Sequence, residues 1–165
     1  MLYPGNFRLL AGFLAISLMM AGTSTFLHAE TDGMRLEILR QADAQVLWTH
    51  SVKAGDCFTL DYRHSSDHTP VRDLFQITRN ATFVLIEEQF DWYGSGLEFH
   101  PSADITFSHD GTRVFLNRHF PFLLLRVGEI ARQVLTVNGS QLPLLAVAEG
   151  RESVCIRIKR EPANP

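Results

Sequence analysis

Tyr62-Arg63-His64-Ser65-Ser66-Asp67-His68-Thr69-Pro70-Val71-Arg72-Asp73-Leu74-Phe75 leaves one strand-like run and enters another. Upstream, Cys57 to Tyr62 alternates, with Phe58, Leu60 and Tyr62 on one side. Downstream, Val71, Asp73, Phe75 and Ile77 share one side of a second alternating run. A period of two belongs to a half-buried strand, not a helix. Pro70 has no N–H to donate, so it belongs at a strand's start or edge. The middle of the stretch is therefore a crossing between strands, dense in histidines, serines and acids.

Working outward, the same grammar recurs. Met34 to Leu39 alternates, and Gln45 to His50 is a second short run. Thr82 to Phe90 is rich in β-branched and aromatic residues, as strands are. Asp110-Gly111 and Asn138-Gly139 are hairpin signals because both dipeptides accept the positive φ of a two-residue turn. The first joins Asp104–His109 to Thr112–Asn117, and the second joins Gln133–Val137 to Leu142–Val147. Phe122 to Val127 and Ser153 to Lys159 complete the set. About nine or ten short strands with regular turn signals predict an all-β fold, a single antiparallel sandwich or barrel.

The ends frame that domain. Arg8 precedes an apolar run from Leu9 to Gly22, the pattern of an export signal. Two outcomes stay open: cleavage, with a candidate cut after Ala29, or an uncleaved anchor whose apolar stretch, residues 9–27, is the sole membrane contact. Either places the domain in the periplasm or on the inner membrane facing it. The expected organisation is residues 1–29 as signal or anchor, 30–160 as the β domain and 161–165 as a frayed tail. The net charge of -3, with no basic run, is a poor match for nucleic acid. Cys57 and Cys155 both fall in the exported part, each on the more polar side of its strand. An oxidising compartment permits a bridge between them; two unpaired thiols are the alternative.

Strand geometry limits what the chemistry-bearing residues can do. Ser65 as a nucleophile needs a histidine, yet His64 points to the opposite face of a strand. His68 with Asp67 or Asp73 offers a triad across the turn, but the nucleophile elbow and an oxyanion donor are lacking, so no enzyme is expected. His64 and His68 converge on a metal only if helical, and nothing places a third ligand among His50, His100 and His119. No cofactor is expected. A loop carrying Gly94 and Gly96 lets backbone approach a partner, and Trp92 and Tyr93 offer amphipathic surface. Arg63 and Arg72 suit a carboxylate. The expected binding or interaction surface is His64, Ser65, His68, Arg72 and Asp73 beside Trp92, Tyr93, Gly94 and Gly96. The bland alternative is that these polar groups only order a turn.

The chain resembles the domain of unknown function 1850 family, small exported bacterial proteins. The resemblance rests on Tyr62, His64-Ser65, Pro70-Val71, Asp73 and Phe75, on Gly94-Ser95-Gly96-Leu97, and on Arg126-Val127-Gly128, Pro143-Leu144 and Gly150. Asp73 stands where glutamate is usual, and Glu98 where proline is usual. The genes of this family tend to lie beside TAXI-type TRAP transporters for small organic anions. The resemblance thus implies an accessory module whose partner is a TRAP transporter membrane component or its extracytoplasmic binding protein. The alternative is a periplasmic ligand-binding or metal-dependent protein with a polar pocket around His64, His68 and Asp73.

Overall fold

A computed structural model describes residues 33–65, 68–91, 104–109 and 111–161. The expected export segment, the tail beyond Glu161 and the loop carrying Trp92, Tyr93, Gly94 and Gly96 lie outside the described residues. Among those described, eleven strands form two antiparallel sheets, one or two more than the sequence suggests. In chain order they are β1 (Met34–Arg40), β2 (Val46–Val52), β3 (Cys57–Arg63), β4 (Pro70–Ile77), β5 (Phe83–Phe90), β6 (Asp104–Ser108), β7 (Gly111–Phe120), β8 (Phe122–Arg126), β9 (Val134–Val137), β10 (Ser140–Pro143) and β11 (Ser153–Arg160). A four-stranded sheet runs β2-β1-β11-β8 and a seven-stranded sheet runs β10-β9-β3-β4-β5-β7-β6. No described helix is long and apolar enough to cross a membrane.

One core joins the two sheets, which makes the architecture a sandwich. Leu36 and Ile38 of β1, and Val154 and Ile156 of β11, are fully buried against Phe58, Phe75 and Phe83 from the other sheet. These rings form a ladder across neighbouring strands. Phe58 and Phe75 stack at 4.8 Å between centroids, and Phe83 meets both edge-on at 5.2 and 5.4 Å. Such pairs add about 0.5–1.5 kcal/mol each beyond area burial.

Two elements depart from the expected pattern. The return strand after Asn138-Gly139 is Ser140–Pro143, and Leu144–Ala146 is a 3-10 turn instead of more strand. Pro143 has no ladder donor, so the pairing ends there. In β5, Leu74 pairs with Glu87 but Phe75 pairs with Leu85, leaving Ile86 as a bulge. One extra residue reverses the faces beyond it. Glu88 therefore stands opposite Asp73, and Phe90 opposite Val71.

The cysteine bridge weighed from sequence is corrected by this architecture. Cys57 and Cys155 are free. Their neighbours Phe58, Val154 and Ile156 point into the core, so each thiol projects from the outer face of a different sheet. Sheets pack about 10 Å apart, beyond the reach of a disulfide. Partial burial pushes both thiols up from their usual range.

Candidate functional site

The strand crossing and the turn after β8 build a cleft at one end of the sandwich. Beyond Arg63 the chain closes a tight loop: His64 N–H donates to the Thr69 carbonyl at 2.8 Å, and His68 N–H donates to the His64 carbonyl at 3.0 Å. The Arg63 N–H donates to the Ala131 carbonyl at 2.8 Å, which ties the loop to the turn Gly128–Ala131. That turn is closed by Arg132 N–H on the Gly128 carbonyl and by the Gln133 side chain. Gln133 accepts from Gly128 N–H at 3.0 Å and donates to the Arg126 carbonyl at 2.9 Å. Arg126 Nε donates to the Arg151 carbonyl at 3.0 Å, bringing in the turn before β11.

The result is an open cleft of about 470 Å³ lined by Tyr62, His64 and Ser65 from the strand crossing and by Arg126, Val127 and Arg151 from the two turns. A recess of about 350 Å³ adjoins it, sharing Arg63, Glu129 and Ile130 and adding His68 and Arg132. Volumes of this order suit a metabolite-sized ligand or the tip of a partner. Three rim residues, His68, Arg132 and Arg151, hold positive φ values of 61°, 47° and 72° without being glycine. Left-handed backbone at such residues costs of order 1–3 kcal/mol each and clusters at functional sites. Glu129 lies over Gly150, where a Cβ would stand 2.7 Å from its Oε1, so this position admits no side chain unless Glu129 moves.

The expected site residues are distributed over separate spaces. His64 and Ser65 line the cleft, and His68 lines the recess. Arg72 pairs with Asp61 and lines another cavity of about 190 Å³, which shares Tyr62 with the cleft. Asp73 faces inward on β4, hydrogen-bonded to the Tyr62 hydroxyl, with Oδ1 buried and without a hydrogen-bond partner. Burial first, then the charges of Glu88 and Asp61, push its carboxyl up to about 7. Tyr62 is raised as well, by burial and then by the nearby Asp73 and Glu88, and remains a neutral donor. Among the described residues no group of three or more His, Cys, Asp or Glu is arranged to hold a metal ion.

The sequence reading missed Arg126, Glu129, Arg132 and Arg151 as site residues, and missed Glu88. The Arg126-Val127-Gly128 element was available as a signal, because a short motif ending in glycine marks a turn that must be close-packed. Glu88 had no signal, since the bulge that turns it inward leaves no mark in the alternation.

The model of a family described as a domain of unknown function (DUF1850) matches residues 58–144. The chain belongs to that family. The DUF1850 match spans β3 to β10, and so takes in both the Tyr62–Ser65 wall and the Arg126–Gln133 turn. No curated protein and no solved structure matches the chain.

Proposed function

We propose that this DUF1850 protein is an exported, non-catalytic accessory module. It works at the outer face of a TAXI-type TRAP transporter for small organic anions, docking on a membrane component or on the extracytoplasmic binding protein. The cleft is its recognition site. One observation supports this reading above the others. Two short elements about sixty residues apart in the chain, Tyr62 to Ser65 and Arg126 to Gly128, line a single cleft. Structural turns need no such convergence, whereas recognition by loops on a rigid sandwich does.

The reading is tested by copurification of the full-length protein with the neighbouring transporter components, together with uptake after deletion of its gene. Recovery of a complex, and slower uptake without the protein, are expected. A protein that neither associates with those components nor alters uptake is not an accessory, and the reading falls.

A further inference from the structure

Two sets of arginines in this chain contrast, while Arg118 lies over the Phe120 ring and Arg160 donates to the Arg79 carbonyl. On the sheet faces, guanidiniums have carboxylate partners: Arg35 with Glu161, Arg40 with Glu152, Arg72 with Asp61, Arg113 with Glu87 and Arg157 with Glu37. Around the cleft and its recess stand Arg63, Arg126, Arg132 and Arg151, and among the described residues none of the four is ion-paired to a carboxylate. Arg63 and Arg126 spend one donor each on backbone carbonyls, His68 at 3.5 Å and Arg151 at 3.0 Å, which leaves most of their five donors available. One acid, Glu129, lies among them. In a chain of net charge -3 this is a local excess of positive charge set in a concavity.

Apolar side chains stand among the guanidiniums, beside the polar Gln133 and Glu129. Val127 is fully buried at the base, Ala131 closes the turn, and Ile130 is 59% exposed at the point shared by cleft and recess. An apolar floor between cationic ends fits a carbon skeleton carrying an acidic group at each end. Planar guanidinium forks match carboxylates in a bidentate manner.

We propose that the cleft and recess together bind a small organic polycarboxylate, two or more carboxylates on a short carbon chain. Arg126 and Arg151 take one end, Arg63 and Arg132 the other, and Ile130 packs on the chain between them. This rests on the reading of the cleft as the recognition site, and gives that site a ligand of its own.

The test is calorimetric titration of the full-length protein in detergent at low salt, with succinate, citrate, acetate and inorganic phosphate as probes. Succinate or citrate is expected to bind, acetate at least tenfold more weakly, and added salt to weaken binding. Arg126→Gln and Arg151→Gln are each expected to weaken it about tenfold. Ile130→Glu replaces an exposed apolar side chain and adds a second carboxylate beside Glu129; it is expected to weaken binding at least tenfold while leaving the melting temperature in place. Absence of binding by both polycarboxylates overturns the proposal. So does phosphate binding as tightly as they do, or binding that Ile130→Glu and the arginine variants leave unchanged. If no polycarboxylate binds but copurification still depends on Arg126, the ligand is wrong and the accessory reading stands. If the cleft variants change neither, the cleft is not the recognition site.

Discussion

The Tyr62 hydroxyl is hydrogen-bonded to the Asp73 carboxyl on the inner face of the seven-stranded sheet, and Glu88 stands directly across the ladder from that acid. Two carboxylates side by side, with a neutral donor reaching only Asp73 from the strand on its other side, cannot both ionise cheaply. The carboxyl of Asp73, raised to about 7, is favoured in its neutral form in the fold. A folded value above the unfolded one near 3.8 gives stability that is complete below pH 4 and lost as pH rises through 7. The full difference corresponds to at most about 4 kcal/mol. Urea denaturation should therefore show stability falling between about pH 4 and pH 7 and levelling off above. Asp73→Asn should flatten that slope and be the more stable protein at pH 8. Parallel slopes in the two proteins would dismiss the buried acid as its source.

The outer face of the other sheet carries a different kind of pair. Both Nε and Nη2 of Arg157 donate to Glu37 Oε2, at 3.0 and 2.8 Å. Exposure is unequal: the Glu37 side chain is 6% accessible and that of Arg157 41%. Removing the arginine strands a buried charge, whereas removing the glutamate leaves a cation that water already reaches. Arg157→Ala is expected to cost about 3 kcal/mol and Glu37→Gln about 1 kcal/mol. Equal losses in chemical denaturation would contradict this account.

How much of this was legible in the chain depends on the range of the interaction. Alternation placed Val71, Asp73, Phe75 and Ile77 together on the inner side, where Asp73 indeed faces Tyr62. The Asn138-Gly139 turn was readable because backbone sterics act locally, and Val137 pairs with Ser140; the Asp110-Gly111 signal marked the hairpin one residue late, since Gly111 already pairs with Ser108 as the first residue of β7. What could not be read was long-range. Nothing local states that β11 lies between β1 and β8, so the separation of Cys57 from Cys155 was hidden. The meeting of Arg63 with Ala131 follows from β3 pairing with β9, which also leaves no local trace. Only Arg63 of the arginine cluster stood out in the chain, because its meeting with Arg126, Arg132 and Arg151 depends on contacts far apart in sequence.

Gly111 supports the hairpin between β6 and β7 in a way that other turn glycines do not. Its φ is +116°, and a Cβ there would stand 2.6 Å from the Phe90 carbonyl oxygen. That contact is backbone and cannot swing aside. Gly55 has a similar φ of +91° but open space around it. Gly55→Ala should cost about 1–2 kcal/mol, the price of left-handed backbone alone. Gly111→Ala should cost about 3 kcal/mol or more, because β7 must also retreat from β5. Melting temperatures of the two variants measured together check the ordering, and a milder effect at Gly111 would show that the hairpin can shift without loss.

Tyr62 is the side chain through which the cleft and the buried acid can sense each other, since it lines the cleft and donates to Asp73. Its hydrogen bond favours the ionised carboxylate, opposing the burial and the repulsion from Glu88 and Asp61 that raise the carboxyl. Tyr62→Phe keeps the ring and its packing but removes that bond. The Asp73 carboxyl should then titrate at a still higher pH than about 7, and the fall in stability should move to more alkaline solution with it. The carbon-13 shift of the Asp73 carboxyl, followed with pH in both proteins, reads this directly. An upward move, with the melting temperature at pH 5 changed little, is the expected result. A downward move would mean that the hydroxyl serves the neutral acid instead, and that a ligand displacing Tyr62 would release a proton from Asp73, not draw one in.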